Sequence, residues 1–228
     1  ILLQLIATGK PLSTVGMRIE DRTRTFIIAM ERTVVPENFS FRMTDEEYRV
    51  LEKIKNSIPV CYLADHADFA LGIVTGNNKK FLSAEKTEHS EMVLKGTDIC
   101  KYHINPAKQY LRFEPEQFQQ VAPLEIYRAP EKLLYRFISN QLVVAYDDRQ
   151  MLSLNSCNIV IPKIEGMQIK YILAILNSSV SQFVYQKEFH SIKVLRAHME
   201  HIPIPRVGKA IQNEIIAMTE PLICGMGK

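Results

Sequence analysis

The apolar positions of this chain fall into blocks of two kinds. Between Leu133 and Ile161 they come as short, nearly continuous runs: Leu133–Ile138 (LLYRFI), Leu142–Tyr146 (LVVAY) and Asn158–Ile161 (NIVI). The second run stops at the turn pair Asp147-Asp148 and the third at Pro162, which cannot continue a central strand. β-Branched and aromatic residues in runs of this length predict buried strands, the first two forming a hairpin. Arg136, inside the first run, needs a carboxylate or carbonyl partner if it points inward, and otherwise lies on a surface face. From Ile169 the period lengthens: Ile169, Ile172, Leu173, Leu176, Val180, Phe183 and Val184 recur at helical spacing. That spacing predicts one buried helix over 169–186, with Asn177, Ser178, Ser179 and Ser181 as small polar residues suited to close packing. Ile202-Pro203-Ile204-Pro205 is extended, because each Pro biases its predecessor out of the helical region.

Before this block the signals are more scattered. Residues 1–7 read as a helix end, with Gly9 as its stop and Pro11 following. Thr25–Met30 (TFIIAM) reads as a strand. Arg18, Arg22, Arg24 and Arg32 surround it with Glu20, Asp21 and Glu31, as a solvated hairpin face or a phosphate-binding patch would. Thr44-x-x-Glu47 is a capping box opening a helix whose apolar face is Tyr48, Leu51 and Ile54, with Pro59 beyond its end. Gly76-Asn77-Asn78 predicts a tight turn between two strands. Lys95–His103 reads as glycine, a short strand and a loop, Tyr110–Phe113 as a further strand, and 114–130 as loop with at most one helical turn. After the Pro-x-Pro, 208–223 predicts a terminal helix with Ile211, Ile215 and Met218 on one face and Pro221 near its end. The expected architecture is mixed α/β (α+β). One twisted sheet is built from segments near 71–82, 99–113, 133–146 and 152–161 and braced by the 169–186 helix.

Composition adds bounds. The chain has 228 residues, enough for one sizeable core, with 46% hydrophobic and 23% charged residues and a net charge of +3. That balance is mildly basic, less than a dedicated DNA-wrapping module carries. Cys61, Cys100, Cys157 and Cys224 are scattered without a CxxC pair, which predicts free thiols in a reducing cytoplasm rather than disulfides or zinc. The apolar start, Ile1–Ala7, is far short of the ~20 residues that span a bilayer, so no membrane association is expected. Ile1 rather than Met opens the sequence, as in a segment of a longer polypeptide.

The runs above also carry a resemblance. The order YRFIS…LVVAYD…LNSCNIVIPK…YILAILNSSVSQFVY…IPIP is similar to the TaqI-like C-terminal specificity domain. So is the earlier Gly72-Ile73-Val74-Thr75-Gly76-Asn77, which resembles the opening GI.TG.N motif. Lys95-Gly96-Thr97-Asp98-Ile99-Cys100-Lys101-Tyr102 resembles GKDI.RY, with Thr97 where a basic residue is more usual. The resemblance covers roughly 50–216. It implies the target-recognition part of a bacterial adenine-specific DNA methyltransferase or type IIG restriction-modification enzyme, related to type I specificity subunits. By the same resemblance, 1–43 is a connector or the end of a preceding methyltransferase domain, 44–207 the target-recognition domain and 208–228 a C-terminal helix. Its partners are double-stranded DNA and a methyltransferase/endonuclease domain of the same chain. S-adenosylmethionine, with magnesium a further candidate, belongs to that domain, and no cofactor belongs to this segment.

Candidate DNA-binding residues follow from chemistry and from the resemblance together. Asn77, Asn78, Lys79 and Lys80 form either a plain basic turn or, as the resemblance implies, a DNA contact. Lys101, Tyr102 and His103 interleave basic and aromatic groups, which suits phosphate neutralisation and base stacking as well as an ordinary amphipathic edge. Arg128 closes the 114–130 loop. Arg149 and Gln150 sit at a predicted turn tip, where Arg can pair with guanine and Gln with adenine, although turn tips are polar in any protein. Lys187, His190, Lys193 and Arg196 lead the densest positive run, opposed only by Glu188 and Glu200, and are candidates for a DNA-backbone surface, with Lys187, Lys193 and Arg196 assigned to phosphates. No methyl-donor glycine loop or Asn/Asp-Pro-Pro-aromatic motif occurs. Glu125 with Glu131-Lys132 is a poor imitation of a nuclease triad, and His198-x-x-His201 lacks a firm third metal ligand. The reading is recognition without catalysis. The alternatives are a nuclease or methyltransferase fragment with a divergent site, and an assembly module that binds no DNA.

Overall fold

The computed structural model describes residues 2–6, 16–20, 25–29, 43–189 and 191–225. The chain divides into two compact units, Ile1–Ile58 and Pro59–Lys228. In the first, β1 (Leu2–Ile6), β2 (Gly16–Glu20) and β3 (Thr25–Ala29) form an antiparallel sheet in chain order. The helix end expected at residues 1–7 is therefore a strand; five apolar-rich residues are too few to fix a period. Gly9, Pro11, Arg22, Arg24 and Arg32 lie outside the described residues. Helix α1 (Asp45–Asn56) begins at its predicted capping box. The Glu47 amide donates to Thr44 Oγ1 (3.2 Å) and the Thr44 amide to Glu47 Oε2 (2.9 Å).

The second unit is a mixed α/β body. It runs β4 (Val60–Cys61), β5 (Ala67–Ala70), α2 (Asn78–Phe81), β6 (Leu82–Ser83), β7 (Ser90–Leu94), β8 (Tyr110–Arg112) and α3 (Leu124–Tyr127). It continues with β9 (Lys132–Arg136), β10 (Val144–Asp147), β11 (Leu152–Ser153), β12 (Cys157–Pro162), α4 (Ile169–Asn177) and α5 (Ser179–Glu188). Last come α6 (Arg196–Glu200), β13 (Ile204–Pro205) and α7 (Lys209–Ile223). Two four-stranded sheets replace the single one expected: β10-β9-β12-β5, wholly antiparallel, and β11-β7-β8-β6. β13 pairs with β4, as the extended Pro-x-Pro requires.

The two sheets arise where the chain changes sheet twice at one crossing. Residues 71–74 leave β5 for the second sheet, and 154–156 return from β11 to β12. The segments bond to each other there, the Ile73 amide donating to the Ser153 carbonyl (2.7 Å) and the Asn155 amide to that of Ile73 (3.1 Å). Gly72 permits the crossing, since a Cβ at that position would lie 2.1 Å from the Leu154 carbonyl oxygen. Leu134, Ala145 and Ile159 of the first sheet pack with Val93, Leu94, Leu111 and Leu152 of the second. Helix α4 covers the other side of β9 and β10, burying Tyr171, Ile172 and Leu176. Strands covered on both faces read as continuous apolar runs, which is why β9, β10 and β12 were legible.

The predicted 169–186 helix is two helices broken at Ser178, whose ψ is 157°. Ser178 Oγ accepts from the Ser181 amide (3.1 Å), and Ser181 Oγ donates to the Ile175 carbonyl (2.6 Å). The Asn-Ser-Ser run thus supplies local side-chain bonds that compete with the helix ladder and start a new one. The break turns Val180 outward, where it is 50% exposed instead of on the buried face. It also places two amide side chains against the outer edge of β10. Asn177 Oδ1 accepts from the Val144 amide (3.1 Å) and its Nδ2 donates to the Val144 carbonyl (2.8 Å). Gln182 does the same for Leu142, at 2.9 and 3.0 Å. In α7 the predicted apolar face is not the buried one. Ile211 and Met218 are exposed, while buried Gln212 fastens the helix, its Nε2 donating to the carbonyls of Gly166 (2.9 Å) and Val207 (3.0 Å).

Asn177→Ala leaves the buried Val144 amide without its side-chain acceptor and should cost about 2–4 kcal/mol. Urea unfolding measures it; a loss under ~1 kcal/mol would mean that this edge is held by other groups.

Candidate functional site

Strand β10 leaves its hairpin with β9 through the turn 148–150, which leads on to β11, and that turn is fixed from below. Lys132 and Asp147 are cross-strand partners, both side chains 0% exposed, with Lys132 Nζ 2.6 Å from Asp147 Oδ2. Burial pushes the Lys132 ammonium down from its ordinary pKa, and the hydrogen bond and charge of Asp147 pull it back. The same ammonium donates to the Tyr127 carbonyl (2.5 Å) at the end of α3. The two oxygens of Asp147 also accept from the Arg149 and Met151 amides, each at 2.9 Å, which draws the turn closed over the carboxylate. Gln150 takes φ 57°, a left-handed conformation that costs a residue with a Cβ roughly 1 kcal/mol. Its carbonyl is held by Arg128 Nη1 (2.7 Å), while Arg128 Nη2 reaches both Glu91 oxygens at 2.6 Å. Arg128 therefore serves the turn. The Arg149 and Gln150 side chains are exposed and make no hydrogen bond or ion pair among the described residues.

The other predicted residues are distributed over separate places. At 76–80, Gly76 (φ 74°) turns the chain into α2, so one side of the expected strand-to-strand turn is a helix. Asn77 caps it by accepting from the Lys80 amide (3.2 Å), and Asn78 Oδ1 accepts from Thr75 Oγ1 (2.6 Å). Lys80 Nζ donates to Gln117 Oε1 (2.5 Å), which leaves Lys79 as the exposed cation of this loop without a partner among the described residues. The strand expected in 95–103 is a 3₁₀ turn, Gly96–Asp98, followed by a tight loop. Lys101 is not at a tip: burial lowers its pKa, and its Nζ donates to the Asn177 carbonyl (3.2 Å) at the C-terminal end of α4. Tyr102, at φ 75°, joins the edge of β10 through its backbone, and His103 accepts from the Cys100 amide through its carbonyl. Arg136 points inward and is satisfied by the Gly96 (2.9 Å) and Ile99 (2.5 Å) carbonyls.

In the basic run, His190 lies outside the described residues. Lys193 is exposed with its Nζ over the Phe137 ring, 5.8 Å from the centroid, and Lys187 lies over Phe183 at the same distance. The expectation that this run lacks matching acids fails at Arg196, which pairs with Glu200 at 2.6 Å and stacks over Phe69. There it borders a cleft of about 640 Å³ beside β5, lined by Leu71, Gln120, Pro123 and Tyr135 among others. Turning to catalytic candidates, Lys132 is committed to Asp147, and Glu131 accepts from the Tyr146 hydroxyl. His198 Nδ1 accepts from the Leu195 amide and His201 Nδ1 faces the Ala197 carbonyl (2.6 Å), so both rings engage the backbone.

What the sequence reading missed is the support under the turn: Lys132, Asp147 and Glu91. A signal existed, because a Lys opening one hairpin strand and an Asp closing the other must meet if the strand ends align. Lys101→Met should lower the unfolding temperature, read by thermal melting, because the Asn177 carbonyl loses its charged donor; an unchanged melting curve would mean that this bond does not hold the junction.

No curated protein matches the sequence. Solved structures that resemble it include one described as the structural basis of complex assembly and conformational transition of the type I R-M system. It is 11% identical with TM-score 0.47, and the match covers 80% of this chain and 45% of that one. Another is the HsdS subunit from Thermoanaerobacter tengcongensis, 11% identical with TM-score 0.45, covering 79% of this chain and 45% of that one. The chain thus spans about half the length of the structures it resembles. Residues 91–204, half of the chain and including the β9–β10 hairpin, the turn 148–150 after it and the α4–α5 pair, match the sequence family directly. The chain belongs to the TaqI-like C-terminal specificity domain family.

Proposed function

We propose that this chain is the DNA target-recognition part of a bacterial restriction-modification enzyme. It binds a specific duplex sequence and positions it for an adenine methyltransferase or endonuclease domain of the same polypeptide. The observation that carries the reading is the turn 148–150: Arg149 and Gln150 stand exposed and uncommitted on a backbone that buried charges hold fixed. Such groups can bond base edges without first giving up partners of their own. Membership of a specificity-domain family supports the same reading.

The catalytic steps fall to the partner domain, which would also hold S-adenosylmethionine and any magnesium. No helix among the described residues is long and apolar enough to cross a membrane. The reading puts the protein in the cytoplasm, where its DNA is.

Phosphate contacts set affinity and release counterions, whereas base contacts set preference. Lys79 and Lys193 are exposed cations with no acid paired to them among the described residues, and Lys187 flanks the latter run. Lys193→Ala in the full-length protein should weaken matched and mismatched duplexes alike and lower the salt slope by ~1, read by fluorescence anisotropy across a salt series. If Lys187, Lys193 and Arg196 can all be removed with affinity and slope intact, the DNA face lies elsewhere.

A further inference from the structure

The turn has more support than a surface loop needs. Beneath it lie two charged groups with no exposed surface, Lys132 and Asp147, and beside it a half-buried guanidinium bonded to both oxygens of one carboxylate. These groups converge on three consecutive backbone positions: the Arg149 amide, the Gln150 carbonyl and the Met151 amide. Of the residues they hold, Arg149 and Gln150 are the two whose side chains stay outward and unbonded. Both have the planar, two-pronged chemistry that pairs with a purine edge in the major groove, Arg with guanine O6 and N7 and Gln with adenine N6 and N7. A phosphate contact tolerates wide changes of angle, because it is largely charge attraction. A two-pronged base contact does not, so a turn that reads bases gains from a fixed backbone, which also avoids ordering the loop on binding.

We propose that Asp147, Lys132, Arg128 and Glu91 are positioning residues that aim Arg149 and Gln150 at adjacent purine edges. Sequence preference at those base pairs is then set partly by side chains that never touch DNA. The proposal rests on the DNA-recognition reading above. It reassigns Arg128, whose cationic character alone would have placed it on a phosphate. It also gives the buried ion pair a role in specificity that an apolar pair of equal volume could not fill, since no apolar side chain can bind two turn amides.

The test uses the full-length protein and a pool of duplexes with a randomised central window, selected and sequenced for the wild type and for single variants. Arg149→Ala and Gln150→Ala identify the base positions read by the turn. Arg128→Met and Asp147→Asn should then flatten preference at those same positions, roughly ten-fold each, with other positions and the salt slope unchanged. Asp147→Asn leaves Lys132 buried without its charge partner, so thermal melting is recorded in parallel. If that variant does not fold, Arg128→Met, at a site 33% exposed, carries the test alone. An Arg128→Met protein that binds all duplexes more weakly with its slope lowered by ~1 would put Arg128 on a phosphate and overturn the proposal. So would a folded Arg128→Met protein with an unaltered preference profile. A wild-type protein that enriches no sequence defeats the DNA reading itself, and this inference with it. Clear enrichment that ignores Arg149, Gln150 and Arg128 alike defeats the inference and leaves that reading standing.

Discussion

Two ionised groups without exposed surface can persist in a core only if they meet each other and fill their remaining hydrogen bonds. Lys132 and Asp147 meet that condition: the carboxylate accepts from Lys132 Nζ and two turn amides, and the ammonium also donates to the Tyr127 carbonyl. Such a pair is a poor device for stability, because the desolvation of both charges offsets much of their attraction, and an apolar pair often does as well. Its advantage is geometric. Hydrophobic contact is non-directional, whereas these bonds fix the ends of β9 and β10, the last residue of α3 and the turn relative to one another.

The rest of the second unit keeps that hairpin from moving. β10 would be an open edge strand, yet its outer backbone groups are taken by Asn177 and the backbone of Tyr102, and Gln182 does the same for Leu142 in the segment leading into it. The side-chain amides stand where a neighbouring strand would be, and they close the edge to further strand pairing. The helix break is therefore tied to the sheet: the helix before it supplies Asn177 to Val144, and the helix after it supplies Gln182 to Leu142. Lys101, turned inward onto the carbonyl exposed by that break, completes the junction.

The sequence was informative where burial is two-sided. β9, β10 and β12 appear as unbroken apolar runs because both faces are covered, and the capping box at Thr44 and the extended Pro-x-Pro follow from backbone chemistry alone. It was misleading where polar side chains do structural work. The Asn-Ser-Ser run looked like a surface for close packing and is a helix break. The apolar face of Ile211, Ile215 and Met218 was expected to dock α7, yet buried Gln212 is its anchor, while Ile211 and Met218 face outward. Among the candidate site residues, charge alone could not separate Lys101, Arg128 and Arg196 from Lys79 and Arg149. The first three are bonded within the protein, and those bonds join residues as far apart in sequence as Lys101 and Asn177. No local pattern records such a pairing.

The same division explains why the family was recognisable in the sequence. Gly72 makes room where two chain segments cross, Gly76 turns the chain into α2, Asn77 and Asn78 tie that loop, and Asp98 accepts from the Lys95 amide. The motifs that carry the resemblance are thus largely backbone hardware, and their residue types are dictated by geometry inside the protein. The side chains of Arg149 and Gln150 answer to no such internal demand, although the left-handed φ of Gln150 makes that position more selective than 149. A frame built this way can present different exposed side chains without being rebuilt, provided the carboxylate beneath them stays in place.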